Sequence, residues 1–228
     1  MTIPLNKITA AAGLCAASAG AIYAGVQINH PPADVVHLVT SEMAVRETAK
    51  AVMAALALAG FAGMFVHNRR RVGVLGVVGY VLVSIGYLAM FANQVIVGCV
   101  LPTVAATDPG YVQAYLDAAV GGSPSRDIGG MSVLFSITGA GYALGGLLFG
   151  VALFRAGILS RWASLLFAGG TTSALALAVL PESFNRPFAV PVGVALIGLG
   201  ISLWRDARRQ SQSDEAAAGL PADVVAAR

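Results

Sequence analysis

The sequence predicts an all-α membrane protein: a six-transmembrane-helix bundle, both termini in the cytoplasm, with one long extracytoplasmic loop between helices 3 and 4. Three observations predict it. Of 228 residues, 57% are hydrophobic and only 11% are charged, whereas a soluble domain carries roughly 25% charged residues. Mean hydropathy is +0.77, and the apolar residues run in uninterrupted tracts. At about 20 residues per helical crossing these tracts supply about six spans and leave no room for a second folded domain. Basic residues, finally, gather at alternate tract ends, the pattern of cytoplasmic turns. The formal net charge is +3, but its clustering at span ends makes the cations topology determinants, so the lipid bilayer is the partner implied and nucleic acid is not.

The first span, 8–28, ends at Asn29-His30-Pro31-Pro32, where two prolines forbid further helix. Lys7 and the run containing Ala17-Ser18-Ala19 imitate a cleavable signal, yet the apolar run continues through Ile22, Tyr23 and Val26 to full spanning length and reads as a retained helix. The second span, 42–66, begins polar between His37 and Lys50, turns wholly apolar from Ala51, and stops at His67-Asn68-Arg69-Arg70-Arg71. The third, 72–97, follows so short a turn that the two helices must be antiparallel neighbours. Cys15 and Cys99 fall at different depths, and no disulfide is implied.

Residues 101–128 form the long loop. Within it, Pro109 to Val120 reads as a short interfacial helix with Val112, Tyr115 and Leu116 on one face, ended by Gly121-Gly122-Ser123-Pro124. The fourth span, 129–154, is glycine-rich. Gly139-Ala140-Gly141-Tyr142 to Gly145-Gly146 looks like a phosphate-cradling loop, but no strand precedes it and it lies mid-span. Gly141 with Gly145, and Gly146 with Gly150, are small residues four apart, so close helix packing is their purpose. A basic turn, Arg155 to Arg161, leads to the fifth span, 162–180. Pro181 to Pro187 breaks the chain before the sixth, 188–204, and 206–228 reads as a disordered, alanine-rich cytoplasmic tail.

Positive-inside orientation puts Lys7, Arg69, Arg70, Arg71, Arg155, Arg161, Arg205, Arg208 and Arg209 in the cytoplasm, against Arg46, Lys50, Arg126 and Arg186 outside. The acids divide the other way, with Asp34, Glu42, Glu47, Asp108, Asp117, Asp127 and Glu182 towards the outer face. Glu42, Arg46 and Lys50 recur every four residues and form one helical stripe, Glu42 to Arg46 being the favourable order for an ion pair. Counting about 20 residues back from Val66 places Lys50 about one turn inside the hydrocarbon. Asn93 and Gln94 on the third helix are level with Arg46 and Glu47.

Two readings follow. In one, Arg46, Glu47, Lys50, Asn93 and Gln94 build a polar pocket in the outer leaflet, roofed by His37, the long loop and the turn at Glu182. In the other, these charges snorkel to the surface and fix helix depth. His30 and His37 invite a metal reading, which Pro31 and Pro32 rule against by breaking any helix between them. No metal or other cofactor is expected.

Val39-Thr40-Ser41-Glu42 with Arg46, and Gly145-Gly146-Leu147-Leu148-Phe149 to Arg155 followed by Gly157-Ile158-Leu159-Ser160-Arg161-Trp162-Ala163, resemble a bacterial integral-membrane family catalogued as domain of unknown function 4386. The resemblance covers most of residues 8–205. It departs at Ser160, where proline is expected, and in a third span lacking the family's acidic residue. It implies a multi-pass protein of the bacterial cytoplasmic membrane and carries no activity.

Two classes of function remain open. The first is non-catalytic binding of a small lipophilic ligand or a partner through the outer pocket, with His37, Arg46, Lys50, Asn93, Gln94, Tyr87 and Phe91 as lining residues. The second is an intramembrane enzyme on an isoprenoid-like substrate, of the membrane-bound terpene cyclase type, with Glu42, Glu47 or Glu182 as the protonating acid and aromatic faces stabilising a cation. A carboxylate inside an aromatic-lined cavity would separate the second from the first.

Overall fold

The computed structural model describes residues 4–176 and 185–218, and among these the regular structure is entirely helical. Helix α1 spans Leu5–Gly25, α2 Val35–Leu38, α3 Ser41–Asn68 and α4 Gly73–Val95. A π-helical turn, Ile96–Val100, joins α4 to α5, Leu101–Ala105, and α6 is Pro109–Ala119. The next span is α7, Met131–Ala140, a second π turn, Gly141–Gly145, and α8, Gly146–Ala156. Helices α9, Arg161–Ala176, and α10, Asn185–Ala218, complete the described chain.

Five helical stretches are long and apolar enough to cross a membrane: Leu5–Gly25, Ser41–Asn68, Gly73–Ala105, Met131–Ala156 and Ala189–Ser213. The molecule is a membrane-embedded helical bundle. Helix α9 occupies the expected fifth span, whose remainder, 177–180, lies outside the described residues.

The bundle shows which solvent it is built for. On α4, Val74, Val77, Val78, Val81, Ile85 and Leu88 are exposed, at the three- and four-residue intervals that define one helical face. The opposite face buries Gly76, Gly79, Val83, Gly86 and Tyr87. Where lipid tails are as apolar as leucine, small residues that let backbones approach supply the packing energy. A Cβ built on Gly145 would lie 2.2 Å from the backbone nitrogen of Val83, and one on Gly79 would lie 2.4 Å from that of Phe149. Gly146 faces Thr171 of α9 in the same way. The first and last helices meet at two further glycine pairs. A Cβ on Gly20 would stand 2.3 Å from the carbonyl oxygen of Gly193, and one on Gly13 2.7 Å from that of Gly200.

Three expectations are corrected. The third span does not end at 97. It continues through the π turn and α5 to Ala105, because Pro102 stands in the first turn of α5, where the missing N–H is not needed. Residues 101–128 are therefore a helical cap more than a loop. Of the tail expected to be disordered, 206–228, residues 206–218 are helix, and 219–228 lie outside the described residues. Ala207 is fully buried, Arg208 lies 5.4 Å over the Trp204 ring, and Asp206 binds His67 at 2.6 Å, contacts that anchor an alanine-rich, helix-favouring segment.

Candidate functional site

The acidic end of the bundle is organised around the first turns of α3. Thr40 caps that helix, its Oγ1 accepting from the Met43 N–H at 3.3 Å, so α3 starts early enough to carry Glu42, Arg46, Glu47 and Lys50 on regular turns. The stripe then divides in two.

Glu42 and Arg46 turn towards α1. Arg46 donates through Nε and Nη2 to Glu42 Oε1 at 3.0 and 2.8 Å, through Nη1 to the carbonyls of Val26 and Ile28, both at 3.0 Å, and through Nη2 to that of Asn29 at 3.2 Å. A guanidinium has five N–H donors, and all five are committed. Three of them satisfy carbonyls at the end of α1, the usual service of a cation at a helix C-terminus. Arg46 is a clamp between α1 and α3, and Glu42, 59% exposed, is its outer partner.

Glu47 and Lys50 turn the other way, towards α4 and the cap. The Glu47 side chain is only 4% exposed and Lys50 Nζ donates to its Oε1 at 2.6 Å. The pair lies where the π turn carries Gly98, whose Cβ position is 3.1 Å from Glu47 Cβ. Such a single wide turn is a frequent mark of functional sites. Above the pair, Tyr115 of α6 donates its hydroxyl to Asn93 Oδ1. Burial raises the Tyr115 phenol above its ordinary range, and the charges of Tyr111 and Glu47 push it further in the same direction. The phenol therefore stays protonated and remains a donor.

Over this polar layer sits a second apolar core, formed by Leu38, Met43, Val97, Leu101, Val112, Tyr115 and Leu116. Helix α6 is held on it from outside as well. Asp108 accepts from the Tyr111 N–H at 2.9 Å and from Arg126 at 2.9 Å. The acidic end is thus layered as main core, ion pair, small core and solvent.

The structure does not bring all the sequence-predicted residues together. His37 pairs with Asp34 at 2.8 Å beside α2, half-exposed and with its ring nitrogen engaged. Gln94 is half-buried and makes no hydrogen bond among the described residues. Tyr87 is fully buried in the main core, its ring centroid 4.9 Å from that of Phe61 and 5.9 Å from that of Tyr142, and Phe91 packs on the same core. Glu182 lies outside the described residues. Glu42 and Glu47 are each ion-paired, whereas Tyr87 and Phe91 pack on the main core. Sequence reasoning missed Tyr115 as the partner of Asn93, although it grouped Tyr115 with Val112 and Leu116 on one face of its helix, and that face is buried. It also missed Gly98, for which a π turn leaves no sequence signal.

Among the described residues no group of three or more His, Cys, Asp or Glu side chains is placed to hold a metal ion. Compared with protein-family models, with curated proteins and with solved structures, the chain matches none.

Proposed function

We propose that this chain is a six-span protein of a bacterial cytoplasmic membrane, with both termini inside, whose acidic outer end binds a small lipophilic ligand at Glu47 and Lys50. Kinship with the domain of unknown function 4386 family belongs to the same proposal. The observation that carries the binding reading is the burial of Glu47 against Lys50 beneath the cap. An ion pair withdrawn from water is a poor source of stability, since the desolvation of both charges offsets their attraction. Ionisable groups at membrane depth are expensive and mark ligand paths by default. Lys50 spends one of its three donors on Glu47, leaving two for the polar end of an amphiphile, while the apolar remainder of the ligand lies along α4. The committed donors of Arg46 place it outside this site, as the clamp that sets the pitch of α3.

Native mass spectrometry of the protein in mild detergent tests the reading, with wild type expected to retain a small lipophilic species. Glu47→Gln should release it while helix content and monodispersity stay unchanged, because Lys50 can reach the interface along its flexible stem. Equal retention by the variant would refute it. Orientation has its own test: an impermeant thiol reagent applied to intact cells should leave a cysteine at position 70 unlabelled.

A further inference from the structure

The basic end carries a different kind of feature, a cleft of about 280 Å³ between the start of α1, the end of α3 and the extension of α10. Its walls include Asn6, Asn68, Arg69, Arg70, Arg71 and Gln210. Asn68 is 1% exposed. Its Nδ2 donates to the Met64 carbonyl at 2.7 Å, which fixes the amide's orientation, and Oδ1 is then left buried with no donor among the described residues. A stranded acceptor of this kind is destabilising, and most buried polar atoms in native proteins have a partner.

The charges around it are also unanswered. Arg69, Arg70 and Arg71 are exposed, and no carboxylate lies within ion-pair distance of them among the described residues. The nearby acid, Asp206, is engaged by His67 Nε2 at 2.6 Å and by Gln210 Nε2 at 3.4 Å rather than by any of the three arginines. The cleft sits at the end of Ser41–Asn68, a helix long and apolar enough to cross a membrane, and the ends of such a helix are where lipid headgroups are met.

From these observations we infer that the cleft is a binding site for a phosphodiester that carries its own hydrogen-bond donor, such as a glycerol or amine headgroup. The phosphate is held by the arginines and the headgroup donor satisfies Asn68 Oδ1. Basic pockets between membrane helices are known to take anionic headgroups. Here the buried amide adds selectivity for a headgroup that can donate. This site is independent of the one proposed at the acidic end and stands or falls separately.

The test uses full-length protein stripped of lipid in detergent, titrated with phosphatidylglycerol or phosphatidylmethanol and read by native mass spectrometry. The two lipids have the same charge, and only the first has headgroup hydroxyls. Wild type should prefer phosphatidylglycerol by about fivefold, the worth of one hydrogen bond. Asn68→Leu should erase that preference while still binding both lipids. Arg70→Gln combined with Arg71→Gln should weaken both by roughly tenfold or more, since hydrogen bonds to charged groups are stronger. Soluble glycerophosphoglycerol distinguishes the source of the ligand: competition at concentrations similar to the lipid's assigns the site to a free ester, and failure to compete assigns it to a membrane lipid. Equal affinity of wild type for the two lipids, or binding of neither lipid nor ester, overturns the inference. Should Asn68→Leu fail to fold, the arginine variant and the wild-type lipid comparison still decide it.

Discussion

The two ends of the bundle handle charge in opposite ways. At the acidic end each described carboxylate is answered within the chain: Asp34 by His37, Glu42 by Arg46, Glu47 by Lys50, Asp108 by Arg126, Asp117 by Gln113 and Asp127 by the Gly129 N–H. At the basic end Arg69, Arg70 and Arg71 have no such partner among the described residues, and the buried Asn68 amide oxygen beside them has no hydrogen-bond partner among those residues either. One end consumes its polarity internally and covers it with a cap. The other keeps its polarity for the headgroup layer. Composition alone does not separate these cases, because both ends are rich in ionisable residues.

The sharpest test of the contrast removes one cation from each end in lipid-free detergent. Lys50→Met strands the Glu47 carboxylate and should cost about 3–5 kcal/mol, the usual result of breaking a buried pair. Arg70→Ala, at an exposed and unpaired position, should stay within about 0.5 kcal/mol. Chemical denaturation followed by helix content measures both, and similar losses at the two ends would abolish the distinction.

A second pair of substitutions asks whether the difference lies in charge or in packing. Gly20→Leu and Gly13→Leu place bulk at the two glycine contacts between α1 and α10, which lie a helical heptad apart. Each should cost about 1–3 kcal/mol, as overpacking does, and thermal unfolding should report similar losses. A loss at only one of them would mean that the ends differ in packing as well.

A smaller effect is expected in the cap. Tyr115→Phe removes the hydrogen bond to Asn93 and should cost about 1 kcal/mol, seen as faster proteolysis within 101–128 with the membrane helices unaffected. The smallest is a pH effect at α2. Hydrogen bonds from the His37 backbone and ring hold the Asp34 carboxyl below its ordinary value of 3.8. A depressed carboxyl adds stability above that value and loses it as pH falls further. The α2 turn should therefore loosen below about pH 4, with the His37 amide resonance shifting in that window, whereas Asp34→Asn should remove the transition.

How much of this was legible beforehand depends on the physical scale of each signal. Five of the spans were readable because about twenty consecutive apolar residues have few alternative meanings, and the grouping of Val112, Tyr115 and Leu116 on one face of α6, all three buried, was readable from its spacing. The stripe of Glu42, Arg46 and Lys50 was recognised as one unit, yet it divides because Arg46 and Glu47 are consecutive and about 100° apart around the helix, so Arg46 reaches the end of α1 while Glu47 faces the π turn after α4 and draws Lys50, three residues on, to its side. The glycine pairs of α1 and α10 escaped notice because they recur every seven residues and lie far apart in sequence. The α10 extension was misjudged as disordered because the contact that holds it, His67 with Asp206, joins positions with no local relationship.

The pairing of the first helix with the last also constrains how the chain is made. Helix α1 is translated before the rest of the bundle, and the α10 surface that receives Gly13 and Gly20 follows it after the other helices. At roughly 5–20 residues per second the first helix waits on the order of ten seconds in the bilayer with its glycine face turned to lipid or to α3 alone. The α1–α10 contact can then form only late, and a nascent chain truncated before α10 would present the same face to quality-control proteases.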